Sequence, residues 1–246
     1  MTERRITVEV QRYRPEEDSE PAWDLHEVPA RPDWVILDIL HHIKSELDPT
    51  LSYRWSCQMA VCGSCGVMVN GTPVLACKAF VRDYPERIQV APLDNLPVYR
   101  DLIGDVDGFV DHLARVKPYL IPDEDPPPDE AHRQSPAELA TYRQYTQCIN
   151  CLLCYAACPQ VGLNPTYLGP AALTLAHRYN LDSRDQGRDE REPETASEHG
   201  VWECTFVGEC SDVCPKGVDP AGAIQQMKVA SSLAWIKRLL LPGRRS

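Results

Sequence analysis

Apolar and polar positions alternate from the start of the chain. Ile6, Val8 and Val10 are separated by Thr7 and Glu9, which predicts a half-buried strand, and Trp23 to Val28 offers it a partner. Between Val35 and Leu47 the period lengthens: Val35, Ile36, Ile39, Leu40, Ile43 and Leu47 recur at helical spacing, with Asp33 as the expected N-cap. Val67-Met68-Val69 and Pro73-Val74-Leu75 then flank Asn70-Gly71, a dipeptide suited to a two-residue hairpin turn, and Arg87 to Val90 makes a last short strand. Strands around one helix predict a small α+β domain. From Val98 to Tyr119 the pattern turns helical through Leu102, Val106, Phe109, Val110, Leu113 and Val116, and the acidic, proline-rich Ile121 to Pro128 reads as an exposed loop or linker. Ser135-Pro136-Ala137-Glu138 holds both capping-box residues with proline at the first helical position, so a helix should run up to Cys148. Gly169-Pro170 starts another helix, carrying Leu173, Leu175 and Ala176; Asp182 to Gly200 is too polar to add to a core; Asp219-Pro220 opens a last helix through Trp235. The second part is therefore expected to be all-helical. The boundary falls between Asn95 and Arg100, giving domains 1–97 and 98–246.

Charge and length narrow the classes. A formal net charge of -11 over 246 residues argues against a nucleic-acid partner or a generally basic membrane-binding surface. No apolar run is long enough to span a bilayer, and Met1 to Arg5 leads into a strand pattern without a signal-peptide core, so a cytoplasmic polypeptide is expected.

Cysteine changes the picture most. Eleven is an odd number, and the spacing suits metal or redox sites rather than disulfides. Cys57-x4-Cys62-x2-Cys65, with Cys77 after the hairpin, has the plant-type [2Fe-2S] spacing: three thiolates on one loop and a fourth from the returning chain. Gly63 and Gly66 would let the backbone approach that cluster, though glycines also serve in plain loops. Cys148-x2-Cys151-x2-Cys154-x3-Cys158-Pro159 has the spacing of bacterial ferredoxins, in which the fourth cysteine of a run serves the other cluster of a pair. Cys204-x5-Cys210-x3-Cys214-Pro215 fits the same template with Val207 at the second ligand position. Crossing the fourth ligands gives Cys148, Cys151, Cys154 and Cys214 to a [4Fe-4S] cluster and Cys158, Cys204 and Cys210 to a second one. Valine cannot bind iron, so a [3Fe-4S] cluster is the natural occupant; a fourth iron held by water or a small ligand is the alternative. Zinc also uses Cys-x2-Cys pairs, but as two pairs rather than a triplet followed by Cys-Pro, twice. The fold class read from these features is α+β: an N-terminal plant-type ferredoxin (β-grasp) domain, then an all-helical, bacterial-ferredoxin-like domain with two clusters.

Three clusters of this kind in one chain resemble the iron–sulfur subunits of succinate dehydrogenases and fumarate reductases over nearly the whole sequence. The likeness is carried by Leu51-Ser52-Tyr53-Arg54-Trp55-Ser56-Cys57, Cys62-Gly63-Ser64-Cys65-Gly66, Leu75-Ala76-Cys77-Lys78, Cys148-Ile149-Asn150-Cys151, Gly169-Pro170-Ala171-Ala172, Ala176-His177-Arg178-Tyr179 and Val213-Cys214-Pro215-Lys216. It implies a complex in which a separate flavoprotein interconverts succinate and fumarate at FAD while membrane-anchor subunits bind quinone. This chain would be the wire between them, peripheral on the cytoplasmic face of the plasma membrane, with electrons passing between flavin and quinone along the [2Fe-2S], [4Fe-4S] and [3Fe-4S] series. No nucleotide-binding glycine fingerprint accompanies these motifs.

After Cys158-Pro159, typical succinate dehydrogenases carry an aromatic-rich segment with a tryptophan of the quinone site. Here Gln160-Val161-Gly162-Leu163-Asn164-Pro165 is similar instead to quinol:fumarate reductases of enteric bacteria, as are Cys204-Thr205-Phe206-Val207-Gly208 and Gln225-Gln226-Met227-Lys228. By that match Thr205, Phe206, Gln225 and Lys228 sit near a quinone, expected to be menaquinone, with Lys228 donating to a quinone oxygen; the plainer readings are a solvated lysine and a core Phe206. Oxidation of menaquinol coupled to fumarate reduction is the expected direction, and succinate oxidation the runner-up. A ferredoxin-like carrier for another flavoenzyme and a structural zinc scaffold are alternatives from other classes. In the tail, Leu233, Trp235, Ile236, Leu239, Leu240 and Leu241 mix with Lys237, Arg238, Arg244 and Arg245, which suits an anionic membrane surface, an anchor subunit, or packing on the chain's own domain. None of the seven histidines is assigned to metal, and His177 alone is a functional candidate.

Overall fold

The computed structural model describes residues 5–122 and 131–240. Most of the proline-rich stretch and the tail residues Leu241, Arg244 and Arg245 lie outside that range. The strands are β1 (Arg5–Arg12), β2 (Ala22–Pro29), β3 (Gly66–Val69), β4 (Thr72–Leu75), β5 (Arg87–Ala91), β6 (Val98–Arg100) and β7 (Ile103–Gly104). The helices are α1 (Ile36–His42), α2 (Asp107–Arg115), α3 (Pro136–Tyr142), α4 (Leu153–Ala156), α5 (Pro159–Leu163), α6 (Gly169–Asn180), α7 (Arg188–Thr195), α8 (Glu209–Asp212) and α9 (Pro220–Leu240).

Two compact units emerge. The first comprises Met1–Val106 with Ile149–Ala157, the second Asp107–Cys148 with Cys158–Ser246, so the division differs from spans of 1–97 and 98–246. In the first unit the sheet order is β2-β1-β5-β3-β4. β1 pairs antiparallel with β2, Ile6 opposite Val28, as its alternation predicts. On its other side β1 runs parallel to β5, Val8 opposite Ile88 and Val10 opposite Val90, so the last strand of the sequence is central in the sheet. Val8, Val10, Ile88 and Val90 are fully buried, as are Ile36, Ile39 and Leu40 of α1, and together they supply the apolar core. The cap of α1 is Val35 rather than Asp33: its amide donates to the Asp38 carboxylate at 2.9 Å. β3 and β4 close through Asn70 and Gly71, both left-handed (φ 47° and 79°), the turn that Asn-Gly predicts.

The chain from Val98 to Gly104 is not helical. It forms a short hairpin, Val98 opposite Gly104 and Arg100 opposite Ile103, and α2 begins only at Asp107. The reason lies at Asp101. Its buried carboxylate accepts from Arg12 Nε (3.1 Å) and from the amides of Tyr13 (3.0 Å) and Ser52 (2.8 Å). Arg12 also pairs with Asp48 and donates to Thr50 Oγ1 at 2.9 Å. One buried guanidinium thus fixes the end of β1, the 98–104 hairpin and the segment that leads to Cys57. Burial alone would raise the Asp48 pKa, but Thr50 and Arg12 outweigh it and hold it at about 2.

Helices alone make up the described part of the second unit. Ser135 caps α3 as its sequence predicts, the Glu138 amide donating to Ser135 Oγ at 3.2 Å and the Ser135 amide to Glu138 Oε2 at 2.7 Å. Asp182 to Gly200 does contribute to the interior, contrary to expectation, because its charges are paired. Arg191 is fully buried, its guanidinium meeting Asp185 (2.6 and 2.8 Å), Asn180 Oδ1 (3.2 Å) and the carbonyls of Lys117 (3.0 Å) and Tyr119 (2.7 Å). Every donor of the fork has an acceptor, which is the condition for burying it.

Two outcomes follow from these ion pairs. Asp185→Ala leaves Arg191 buried and uncompensated, so chemical denaturation should show a loss of about 3–5 kcal/mol, and an unchanged midpoint would contradict the packing described. The Asp48 pKa falls from 3.8 to about 2 on folding, so its contribution is complete above about pH 4 and is lost as pH drops through 2. The stability gap between wild type and Asp48→Asn should accordingly shrink over that window in parallel denaturant titrations.

Candidate metal centres

The β3–β4 hairpin builds the first centre. Gly66 lies opposite Leu75 and the Ala76 amide donates to the Cys65 carbonyl at 2.9 Å, so Cys77 is delivered beside Cys65. The loop before it supplies the other two thiols. Gln58 and Ala60 adopt left-handed backbone (φ 57° and 56°), which turns successive amides inward. The N–H groups of Met59, Val61 and Cys62 donate to Cys57 Sγ at 3.4, 3.4 and 3.3 Å, and that of Ala60 to Cys77 Sγ at 3.3 Å. Hydrogen bonding from the Cys57 backbone and from Ser64 holds the Cys62 thiol at about 6, whereas burial pushes Cys65 up to about 12. Sulfur donors that pair as Cys57 with Cys62 and Cys65 with Cys77, ringed by amides, suit a two-iron cluster.

The two ferredoxin-type runs share one local conformation. A single 3₁₀ turn, Tyr145–Gln147 or Val201–Glu203, ends just before Cys148 or Cys204. Two and four residues after that cysteine come left-handed positions, Asn150 and Leu152 (φ 52° and 65°) in one run and Phe206 and Gly208 (φ 60° and 96°) in the other. A one-turn helix follows, α4 or α8, and carries Cys154 or Cys210. This places Val207 where the first run has Cys151. The register set by cysteine spacing is therefore also the register of the backbone.

Cys158, Cys204 and Cys210 line one hollow together with Val207, Phe206, Thr205 and Gln160. Burial, and then the nearby Cys158, push the Cys210 thiol up to about 12. The Phe206 amide donates to Cys204 Sγ at 3.4 Å. Among the described residues no group of three or more His, Cys, Asp or Glu side chains is drawn together tightly enough for a single metal ion. Of the remaining cysteines, Cys151 and Cys154 lie in the first unit and Cys148 and Cys214 in the second. Cys214 packs on Tyr142, Tyr145, Val218 and Ala223, and its sulfur accepts from the Val218 amide at 3.3 Å. None of the eleven cysteines is in a disulfide.

The residues matched to a quinone site surround the same hollow in part. Thr205 and Phe206 line it; Phe206 is exposed rather than core, and Thr205 Oγ1 accepts from Gln160 Nε2 at 3.3 Å. Gln225 approaches Cys204 Sγ at 3.9 Å. Lys228 Nζ donates to the Cys204 carbonyl at 2.6 Å, so it is not simply solvated; two of its three donors are left for other partners. His177 is buried, lies 3.2 Å from Gln226 Oε1 and packs edge-on against Tyr145; burial lowers its pKa.

Other supporting contacts have no local signal in the sequence. Gln226 Nε2 donates to Tyr145 OH at 3.1 Å, tying α9 to the turn before Cys148. In the first unit His41 is hydrogen-bonded to Tyr53 OH at 2.6 Å and stacks edge-on against Trp55, bracing the approach to Cys57. Asn95 Nδ2 donates to the carbonyls of Tyr155 (2.9 Å) and Ala156 (3.1 Å), anchoring the segment that bears Cys151 and Cys154. A motif such as Ser-x-x-Glu advertises a local contact, whereas these pairs are 12 to 81 residues apart and have no local pattern.

Comparison with known proteins agrees with these centres. A family profile described as a 2Fe-2S iron–sulfur cluster binding domain matches residues 7–111, and one described as a 4Fe-4S dicluster domain matches residues 140–215. The chain is 52% identical over 240 residues to the fumarate reductase iron–sulfur subunit of Mycobacterium tuberculosis, covering 97% of each. It is 36% identical over 226 residues to the succinate dehydrogenase iron–sulfur subunit of Coxiella burnetii, covering 91% of this chain and 95% of the other. A chain in the structure titled Mycobacterium smegmatis Sdh1 complex in the apo form superposes with a TM-score of 0.85 at 25% identity, covering 95% of this chain and 98% of that one.

Gly63 is where the first centre meets the next cysteine loop. It has φ 75°, and a Cβ there would lie 2.9 Å from the Ile149 carbonyl oxygen and 3.0 Å from Cys151 Cα. Gly71 has φ 79° with nothing within 4 Å. Gly63→Ala and Gly71→Ala share the left-handed cost of about 1 kcal/mol, but only the first adds a backbone clash. Thermal melts should therefore rank Gly63→Ala clearly below Gly71→Ala, with lower iron content; equal losses would mean that the close approach is not tight.

Proposed function

The chain belongs to the family of iron–sulfur subunits of fumarate reductases and succinate dehydrogenases, and from that premise we propose that it is the electron-transfer subunit of a membrane-bound quinol:fumarate reductase. It relays electrons between menaquinol and the FAD of a partner flavoprotein, held by membrane-anchor subunits at the cytoplasmic face of the plasma membrane. Cys57, Cys62, Cys65 and Cys77 hold a [2Fe-2S] cluster; Cys148, Cys151, Cys154 and Cys214 a [4Fe-4S] cluster; Cys158, Cys204 and Cys210 a [3Fe-4S] cluster. When bound, these clusters supply one-electron carriers, and the protein's own contribution is to bury the sulfurs and aim amides at them. The observation that carries the reading is the repeated loop conformation with Val207 in a ligand position.

The quinone lies against Thr205, Phe206, Gln225 and Lys228. Lys228 and Gln225 both reach Cys204, so a change at the quinone is felt at a cluster ligand itself. Fumarate reduction is favoured over succinate oxidation by the identity of 52% to a fumarate reductase subunit against 36% to a succinate dehydrogenase subunit. The likeness to the Sdh1 complex supports the reverse direction as the second reading.

Val207→Cys supplies the missing thiolate. The oxidised-state EPR signal of a three-iron cluster should disappear and a reducible four-iron signal take its place, while an unchanged three-iron signal would contradict the ligand set. Direction is settled in membranes containing the whole complex: menaquinol-driven fumarate reduction should exceed succinate-driven quinone reduction, and the opposite ratio favours the succinate dehydrogenase reading.

A further inference from the structure

The lead into the first centre hangs from one side chain. Leu51 to Cys57 lies outside every helix and strand. Its start is fixed twice, by the Ser52 amide donating to Asp101 at 2.8 Å and by the Leu102 amide donating to the Ser52 carbonyl at 3.2 Å. From Tyr53 to Ser56, among the described residues, a single hydrogen bond remains, between Tyr53 OH and His41 Nδ1 at 2.6 Å. Trp55 adds a ring contact, edge-on to the same imidazole with centroids 4.7 Å apart. Both contacts end on His41.

Helix α1 gives that ring a firm base, because Leu37 and Leu40, one turn and one residue before it, are buried in the close-packed core. Whichever ring nitrogen carries the proton, His41 Nε2 is buried and has no partner among the described residues. Leaving a buried polar atom unpaired costs stability, and such an atom calls for an explanation. The explanation here is orientation: one pose of the ring meets Tyr53 and Trp55 together. What the pose secures lies just downstream. Cys57 Sγ accepts from the amides of Met59, Val61 and Cys62 at 3.4, 3.4 and 3.3 Å, and the place at which the chain delivers Cys57 sets those three bonds. Hydrogen bonds to a ligand sulfur favour the more negative, reduced state of a cluster and so raise its potential.

We propose that His41 is a positioning residue for electron transfer: by holding Tyr53 and Trp55 it seats Cys57 under its three amide donors and thereby sets the potential of the two-iron centre. This rests on the [2Fe-2S] reading of Cys57, Cys62, Cys65 and Cys77, and the test separates the two. A potentiometric titration of the full-length, cluster-loaded protein follows the two-iron EPR signal, with iron and labile sulfide measured for each variant. At the wild-type midpoint, His41→Leu should lower the reduced-to-oxidised ratio about threefold or more, a negative shift of about 28 mV or more at about 59 mV per tenfold. Tyr53→Phe deletes one oxygen atom and should shift the potential the same way; it carries the test should His41→Leu hold no cluster. The two changes together should shift it no further than His41→Leu alone. His41→Asn keeps a polar group where Nδ1 stands and should recover most of the wild-type value. His42→Leu, whose native ring packs on Trp34 rather than on the lead, should leave the potential unchanged. A two-iron signal with one potential in wild type, His41→Leu and Tyr53→Phe would overturn the proposal and leave the metal reading standing. Additive shifts, or an equal shift in His42→Leu, would assign the effect to general loosening of α1 and overturn it too. A wild type without any two-iron signal would overturn the metal reading and the proposal with it.

Discussion

Thiol sulfurs are weak hydrogen-bond acceptors, and gathering them in one place requires the backbone around them to turn its amides inward. The chain meets this demand each time in the same way, with pairs of left-handed residues two apart: Gln58 and Ala60, Asn150 and Leu152, Phe206 and Gly208. Such backbone costs energy outside glycine, so it persists only where the surroundings enforce it. The enforcement is visible in the elements that flank each loop. A hairpin returns Cys77 to Cys65, a 3₁₀ turn and a one-turn helix bracket each ferredoxin-type run, and helix α9 reaches back to Cys204 through Gln225 and Lys228.

The rest of the fold keeps those loops in place with buried charge as much as with apolar packing. Arg12 and Asp101 tie three distant segments of the first unit together, and Arg191 with Asp185 does the same in the second. A buried ion pair adds less to stability than an apolar core of the same volume would, but breaking one side is severe. Its use here is positional: Arg12 holds the Asp48 to Ser52 stretch that runs directly into the first ligand loop through Asp101 and Thr50.

What could be read from residues alone was whatever is encoded locally. Asn70-Gly71, the Ser135 capping box, the alternation of β1 and the helical start at Pro220 all appear where their patterns place them. The cysteine spacing also set the register in which Val207 corresponds to Cys151, and the backbone repeats that register. The misreadings came from contacts between distant residues. Leu102 and Val106 looked helical, yet Asp101 is drawn to Arg12 and makes a hairpin of 98–104. Asp182 to Gly200 looked too polar to be buried because composition does not show that Arg191 has an acceptor for every donor. The segment Ile149–Ala157 groups with the first unit, where Asn95 donates to two of its carbonyls, a contact no local pattern announces.

The central claim is that three sulfur-lined centres carry electrons in one-electron steps. EPR of the purified protein or its membrane complex, air-oxidised and then chemically reduced, addresses it most directly. A three-iron signal in the oxidised state, with a two-iron signal appearing on reduction, is the predicted result. Silence in both states, with metal analysis finding zinc and no labile sulfide, would contradict the account and leave a structural scaffold in its place.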